Sequence, residues 1–62
     1  MLDGEIVHVE TLEITFEIRE YDIGGGKAAE YDWTSSAGDR STELFSSIAD
    51  ARRDALRYLG GY

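Results

Sequence analysis

The chain has 62 residues, no cysteine, and a net charge of −7 from thirteen acids against six bases, only one of which is a lysine. That length allows one domain and no more. The missing cysteines exclude disulfides, and the acid excess argues against direct binding to nucleic-acid phosphates or anionic membranes.

A chain near this size buries only ~60% of the surface its unfolded form exposes, so its stability margin is thin. The core must hold the fold alone or share the task with a partner chain; the oligomeric state is left open. Structural zinc is not expected, because His8 is the only histidine and the remaining ligands would be carboxylates. No cofactor motif stands in the chain. The lack of cysteine fits a reducing cytoplasm. Met1 is followed by acidic residues rather than a basic stretch and an apolar run, so a signal peptide is not expected. No apolar segment approaches the ~20 residues needed to span a bilayer.

In chain order, Met1 to Gly4 reads as a short leader and Glu5 to Glu10 as a strand. Leu12 to Arg19 then alternates without a fault. Leu12, Ile14, Phe16 and Ile18 take one face, and Glu13, Thr15, Glu17 and Arg19 the other. Val7 and Val9 are out of phase with this run. The slip at Glu10-Thr11 predicts a bulge or a turn, with Glu-Thr poor chemistry for a two-residue hairpin.

Gly24-Gly25-Gly26-Lys27 supplies the positive φ of a tight turn. The strand behind it, Ala28 to Ser35, sets Ala29, Tyr31, Trp33 and Ser35 on one face and Ala28, Glu30, Asp32 and Thr34 on the other. A two-residue loop at Gly24-Gly25 would place Phe16 opposite Trp33, Ile18 opposite Tyr31, Arg19 opposite Glu30 and Glu17 opposite Asp32. After a turn at Ser36 to Arg40, Ser41 to Phe45 reads as a short last strand. Ser47 is a helix N-cap, with Asp50 three residues on. Ile48, Ala51, Ala55 and Leu59 follow at helical spacing, and Gly60-Gly61 stops the helix.

The predicted architecture is α+β. A meander of three to four antiparallel strands carries one C-terminal helix on one face, all in a single domain, residues 1–62. Phe16, Ile18, Trp33, Leu44, Ile48, Ala55 and Leu59 are the expected core.

Catalysis is not expected. The glycine run lacks the spacing, the hydroxyl residue and the following helix of a phosphate loop. His8 has no second base or nucleophile near it in sequence, and no serine sits in a nucleophile elbow. Glu30 and Asp32 would lie on a wet sheet face that does nothing to separate their pKa values. No loop has the ligand spacing for calcium.

What remains is the distribution of charge. Up to Phe45 there are eleven acids against three bases, a net −8; beyond it are two acids against three arginines, a net +1. Alternate acids on one strand, such as Glu30 and Asp32, stand about 6.6–6.8 Å apart. Like charges opposite one another weaken a sheet, so the excess does not serve folding. It serves either solubility, including adaptation to salt, or the binding of a basic partner.

A chain this small, acidic and free of cysteine, with acids on a sheet and a single helix, resembles the small phage-encoded anti-CRISPR proteins. The resemblance covers the whole chain in size, charge and layout. Several members of that group mimic DNA. The resemblance therefore implies an inhibitor in the cytoplasm of a bacterial host, directed at the basic nucleic-acid-binding surface of a type I CRISPR surveillance complex or another defence protein. Glu13, Glu17, Glu30, Asp32 and Glu43 would meet the partner, with Glu20 and Asp22 at the rim. A second likeness is to HicB-type antitoxins. Gly38-Asp39-Arg40-Ser41 leading to Ser47-Ile48-Ala49-Asp50-Ala51 is similar to their last strand and helix, which implies a small regulatory interaction module instead.

Overall fold

The computed structural model describes residues 4–60. Most of the expected leader and the second stop glycine, Gly61, lie outside them. Three strands, β1 (Glu5–Thr11), β2 (Thr15–Tyr21) and β3 (Glu30–Ser35), form an antiparallel sheet in the order β1-β2-β3, and one helix, α1 (Ile48–Gly60), packs on it. This is the α+β meander that the sequence predicts. Among the described residues no helix is long and apolar enough to cross a membrane.

The faultless alternation from Leu12 to Arg19 is not one strand. Leu12-Glu13-Ile14 is the reversal between β1 and β2, closed by the Thr11–Thr15 pair, whose hydroxyls lie 3.1 Å apart. Leu12 is therefore 40% exposed rather than part of the core floor. The phase slip is real, but it is taken up elsewhere. The register shifts between Ile6 and His8, leaving Val7 as the bulged residue. A turn and a bulge both occur, on either side of Glu10-Thr11.

The glycine turn sits one residue later than expected. Lys27 N–H donates to the Gly24 carbonyl at 3.2 Å, so Gly25 and Gly26 are the central pair, with φ of 64° and 74°. Moving the centre by one residue moves the register by two. Ile18 now faces Trp33, Phe16 faces Ser35, Arg19 faces Asp32, and Glu17 faces Thr34. An even shift keeps every side chain on its predicted face. It exchanges the expected Arg19–Glu30 pair for Arg19–Asp32 and removes the Glu17–Asp32 repulsion, which favours this register.

The last expected strand is reduced to two isolated bridges, Tyr31 with Phe45 and Thr34 with Arg40. Leu44 consequently points outward and is 50% exposed, and Phe45 takes the core-side position instead. The Ser47 hydroxyl accepts from Asp50 N–H at 3.1 Å and caps α1 as predicted. Phe16, Ile18 and Trp33 are wholly buried against Ala51 and Ala55, whose small side chains let the helix approach the indole. Trp33 N–H donates from Nε1 to Asp54 Oδ2 at 2.9 Å, and its ring meets Tyr58 at 5.4 Å between centroids.

Candidate functional site

The helix covers β2 and β3, so the sheet has a helix side and an outer side. Strand alternation and the register assign each acid to one of them. Glu17, Glu30 and Asp32 face outward, as predicted. They share that face with Arg19, across from Asp32, and with Arg40, across from Thr34. Glu17 lies 3.8 Å from the Arg19 guanidinium. The middle of the outer face is thus of mixed charge.

Asp32 does not stand free in water. It is 8% exposed, and the Tyr21 hydroxyl donates to its two carboxylate oxygens at 3.0 and 3.1 Å. Tyr21 is itself backed by Gly4, just before β1. A Cβ placed on Gly4 would lie 2.6 Å from the Tyr21 ring and 2.9 Å from Arg19 Cβ, so only glycine allows this approach. The Gly4 carbonyl in turn accepts from Arg19 at 3.3 Å. Burial, followed by the bond to Asp32, pushes the Tyr21 hydroxyl above its ordinary pKa. Asp32 is a structural carboxylate, and a partner reaching for it would have to displace Tyr21.

The other predicted acids divide between the two ends of the sheet. Glu20, Asp22 and Glu30 gather where β2 leaves the sheet and β3 enters it. Glu20 faces Tyr31 on the helix side, and Tyr21 faces Glu30 on the outer side. The Tyr31 hydroxyl donates to Glu20 at 2.8 Å, and that bond raises the pKa of the phenol. Asp22 accepts from Gly24 N–H at 2.9 Å and shapes the glycine loop. Glu13 sits on the β1–β2 turn at the opposite end and does not join the others. Glu43 is exposed on the segment that runs back along β3, two residues before Phe45, which pairs with Tyr31 at the acidic end.

One acid of this group was not foreseen. Glu5 is exposed and directly opposite Glu20, and neither makes a salt bridge among the described residues. Four carboxylates, Glu5, Glu20, Asp22 and Glu30, therefore ring one end of the sheet from both faces. The composition of β1 could not reveal this, because the pairing partner of Glu5 depends on the bulge at Val7.

Glu10 behaves differently. Arg52 on α1 grips its carboxylate through two nitrogens, at 2.7 and 3.1 Å, and His8 donates to it at 2.9 Å. The arginine bond first, and then the histidine bond, hold the Glu10 carboxyl below its ordinary value, and the bond to Glu10 holds Arg52 above its own. This cluster ties the edge strand to the helix and leaves Glu10 committed within the fold.

No protein-family model matches the chain, and neither do any of the curated proteins or solved structures compared with it.

Proposed function

We propose that this chain is an acidic inhibitory binding protein that offers carboxylates to a basic surface built to hold nucleic acid. The partner class is a host defence complex, with the type I CRISPR surveillance complex first among those implied by the resemblance in size, charge and layout. The observation that supports this most is the Glu5–Glu20 pair. Two carboxylates directly opposite on neighbouring strands weaken the sheet. An end of the sheet that repels itself is relieved when lysines or arginines of a partner dock on it.

The contact surface in this reading is the end formed by Glu5, Glu20, Asp22 and Glu30 rather than the centre of the outer face. Glu17, Glu13 and Glu43 extend the negative field around it, and Asp32 supports the sheet beneath. The test is competition. The chain is titrated into a type I surveillance complex with labelled target duplex at increasing salt, and bound duplex is followed by mobility shift. Displacement at low salt that fades steeply as salt rises is expected. Undiminished duplex binding at every salt concentration sinks the reading.

The second reading, a regulatory interaction module of the HicB-like kind, draws on the exposed apolar residues Ile6 and Val9 of β1. It predicts an interface that persists at high salt.

A further inference from the structure

The two edges of the sheet are treated differently. Along β3 the segment 40–45 lies close and consumes backbone groups. Tyr31 N–H donates to Phe45 O at 2.9 Å, Phe45 N–H to Tyr31 O at 2.8 Å, and Ser41 N–H to Trp33 O at 2.9 Å. Among the described residues no segment lies along β1 in this way. It ends the sheet with its outward backbone groups unpaired. Edge strands are usually guarded by charged side chains, lysine above all, by proline or by a bulge, and here the inward-facing Glu10 is neutralised by Arg52. Glu5–Thr11 has no lysine and no proline, and its single bulge at Val7 leaves the regular run His8–Thr11 intact.

The side chains of β1 are sorted by face. His8 and Glu10 lie opposite Ile18 and Phe16, on the helix side, as does Glu5 opposite Glu20. Ile6 and Val9 lie opposite Arg19 and Glu17, on the outer side, where they are 44% and 55% exposed. As β-branched residues they suit a strand, yet on this face they leave apolar surface in water at the edge of the sheet.

We infer that β1 is a docking edge for an extended, basic strand of a partner protein, which adds to the sheet as a fourth strand. Its lysines or arginines fall on the helix side, toward Glu5 and Glu20, and its apolar residues fall on the outer side, beside Ile6 and Val9. Main-chain hydrogen bonds provide affinity, and the two side-chain rows set the preference. A second copy of this chain fits poorly, because its own β1 would bring a second Glu5 to the same edge and join two molecules of net charge −7. The proposal rests on the reading above only for the sign of the partner's charge.

The experiment uses the full chain labelled with ¹⁵N and a short synthetic peptide alternating lysine and valine. Amide exchange is read with and without the peptide. Slowing confined to Glu5–Thr11, by about tenfold or more, is expected. The same peptide N-methylated along its pairing edge should lose binding, as should the lysine–valine peptide against Val9→Lys. That variant leaves the fold in place, because position 9 is exposed and faces Glu17. Equal binding of the N-methylated peptide, with protection spread over the acidic end, overturns strand addition and leaves the basic-partner reading standing. Equal binding of a threonine–valine peptide at β1 overturns the basic occupant. Concentration-dependent self-association that protects the same amides without any peptide assigns the edge to a second copy and overturns the proposal.

Discussion

Trp33 on β3 and Asp54 on α1 are joined by an indole hydrogen bond of 2.9 Å, and this is the one polar tie between a wholly buried side chain and the helix among the described residues. Removing the indole removes the centre of the core. Trp33→Ala should cost ~3–5 kcal/mol, which approaches the whole stability of a domain this small. The variant should show no cooperative thermal transition by circular dichroism. Asp54→Ala leaves the buried N–H without an acceptor and should cost about 1–3 kcal/mol. Asp54→Asn keeps a carbonyl at the site and should fall between that variant and the parent. Unchanged melting of Asp54→Ala would mean that water replaces the carboxylate without loss.

Asp32 offers a second stability test, because the sequence casts it as a surface acid and the structure buries it. Asp32→Ala strands the Tyr21 hydroxyl and removes the charge opposite Arg19, at an expected cost of about 1–3 kcal/mol in urea unfolding. Tyr21→Phe should be destabilising as well, since it leaves a desolvated carboxylate with fewer donors. The raised Tyr21 pKa adds a signature at alkaline pH. A phenol whose pKa is higher in the folded state contributes stability below its unfolded value near 10.0, and that contribution is lost as pH rises through the folded value. Tyr21→Phe should therefore show a flatter alkaline limb than the parent. Identical limbs would remove the hydroxyl–carboxylate bond from the account.

Acid sensitivity has a different origin. Glu10 is held below its ordinary value of 4.5, chiefly by Arg52 and then by His8. A depressed carboxyl contributes stability that is complete above the unfolded value and lost as pH falls through the folded one. Below about pH 4.5 the parent should lose stability more steeply than Glu10→Gln, and the two curves should converge at the acid end. Denaturant midpoints from pH 7 downward measure the difference. Parallel curves would mean that the Glu10–Arg52 pair is no stronger folded than unfolded.

The order of elements, the helix with its Ser47 cap, and the inward faces of β2 and β3 were legible because each follows from local periodicity or local hydrogen bonding. The register was not, and the reason is specific. Gly24, Gly25 and Gly26 all accept positive φ equally well, so nothing in the loop says which pair forms the turn. Only the cross-strand partners distinguish the registers, and this one keeps an acid opposite Arg19 while setting Glu17 opposite Thr34 instead of Asp32. The surroundings of the acids were not legible either. Alternation correctly sends Asp32 outward, but it cannot show the Tyr21 hydroxyl bonded across it. Nor can it show that a bulge at Val7 brings Glu5 to Glu20. Leu12 and Ile14 carry the clearest strand pattern in the chain and yet form a turn, because β1 needs a reversal before it can pair.

The position of the acids is the last matter to test, and two double variants of equal charge separate position from charge. Glu5→Lys with Glu30→Lys alters the crowded end of the sheet. Glu13→Lys with Asp39→Lys alters the β1–β2 turn and the turn after β3, both at the other end of the sheet. Each reversal adds two units, so both variants move the net charge from −7 to −3. Both should fold. Glu13 is exposed, the Asp39 carboxylate makes no hydrogen bond or ion pair among the described residues, and Glu5→Lys turns a repulsive pair with Glu20 into an attractive one, which should stabilise the sheet slightly. In competition for target duplex at matched ionic strength, the first variant should be weaker by about tenfold or more, and the second should stay close to the parent once the screened long-range field is allowed for. Equal losses in the two variants would show that only net charge counts, and the end of the sheet would then be no binding surface.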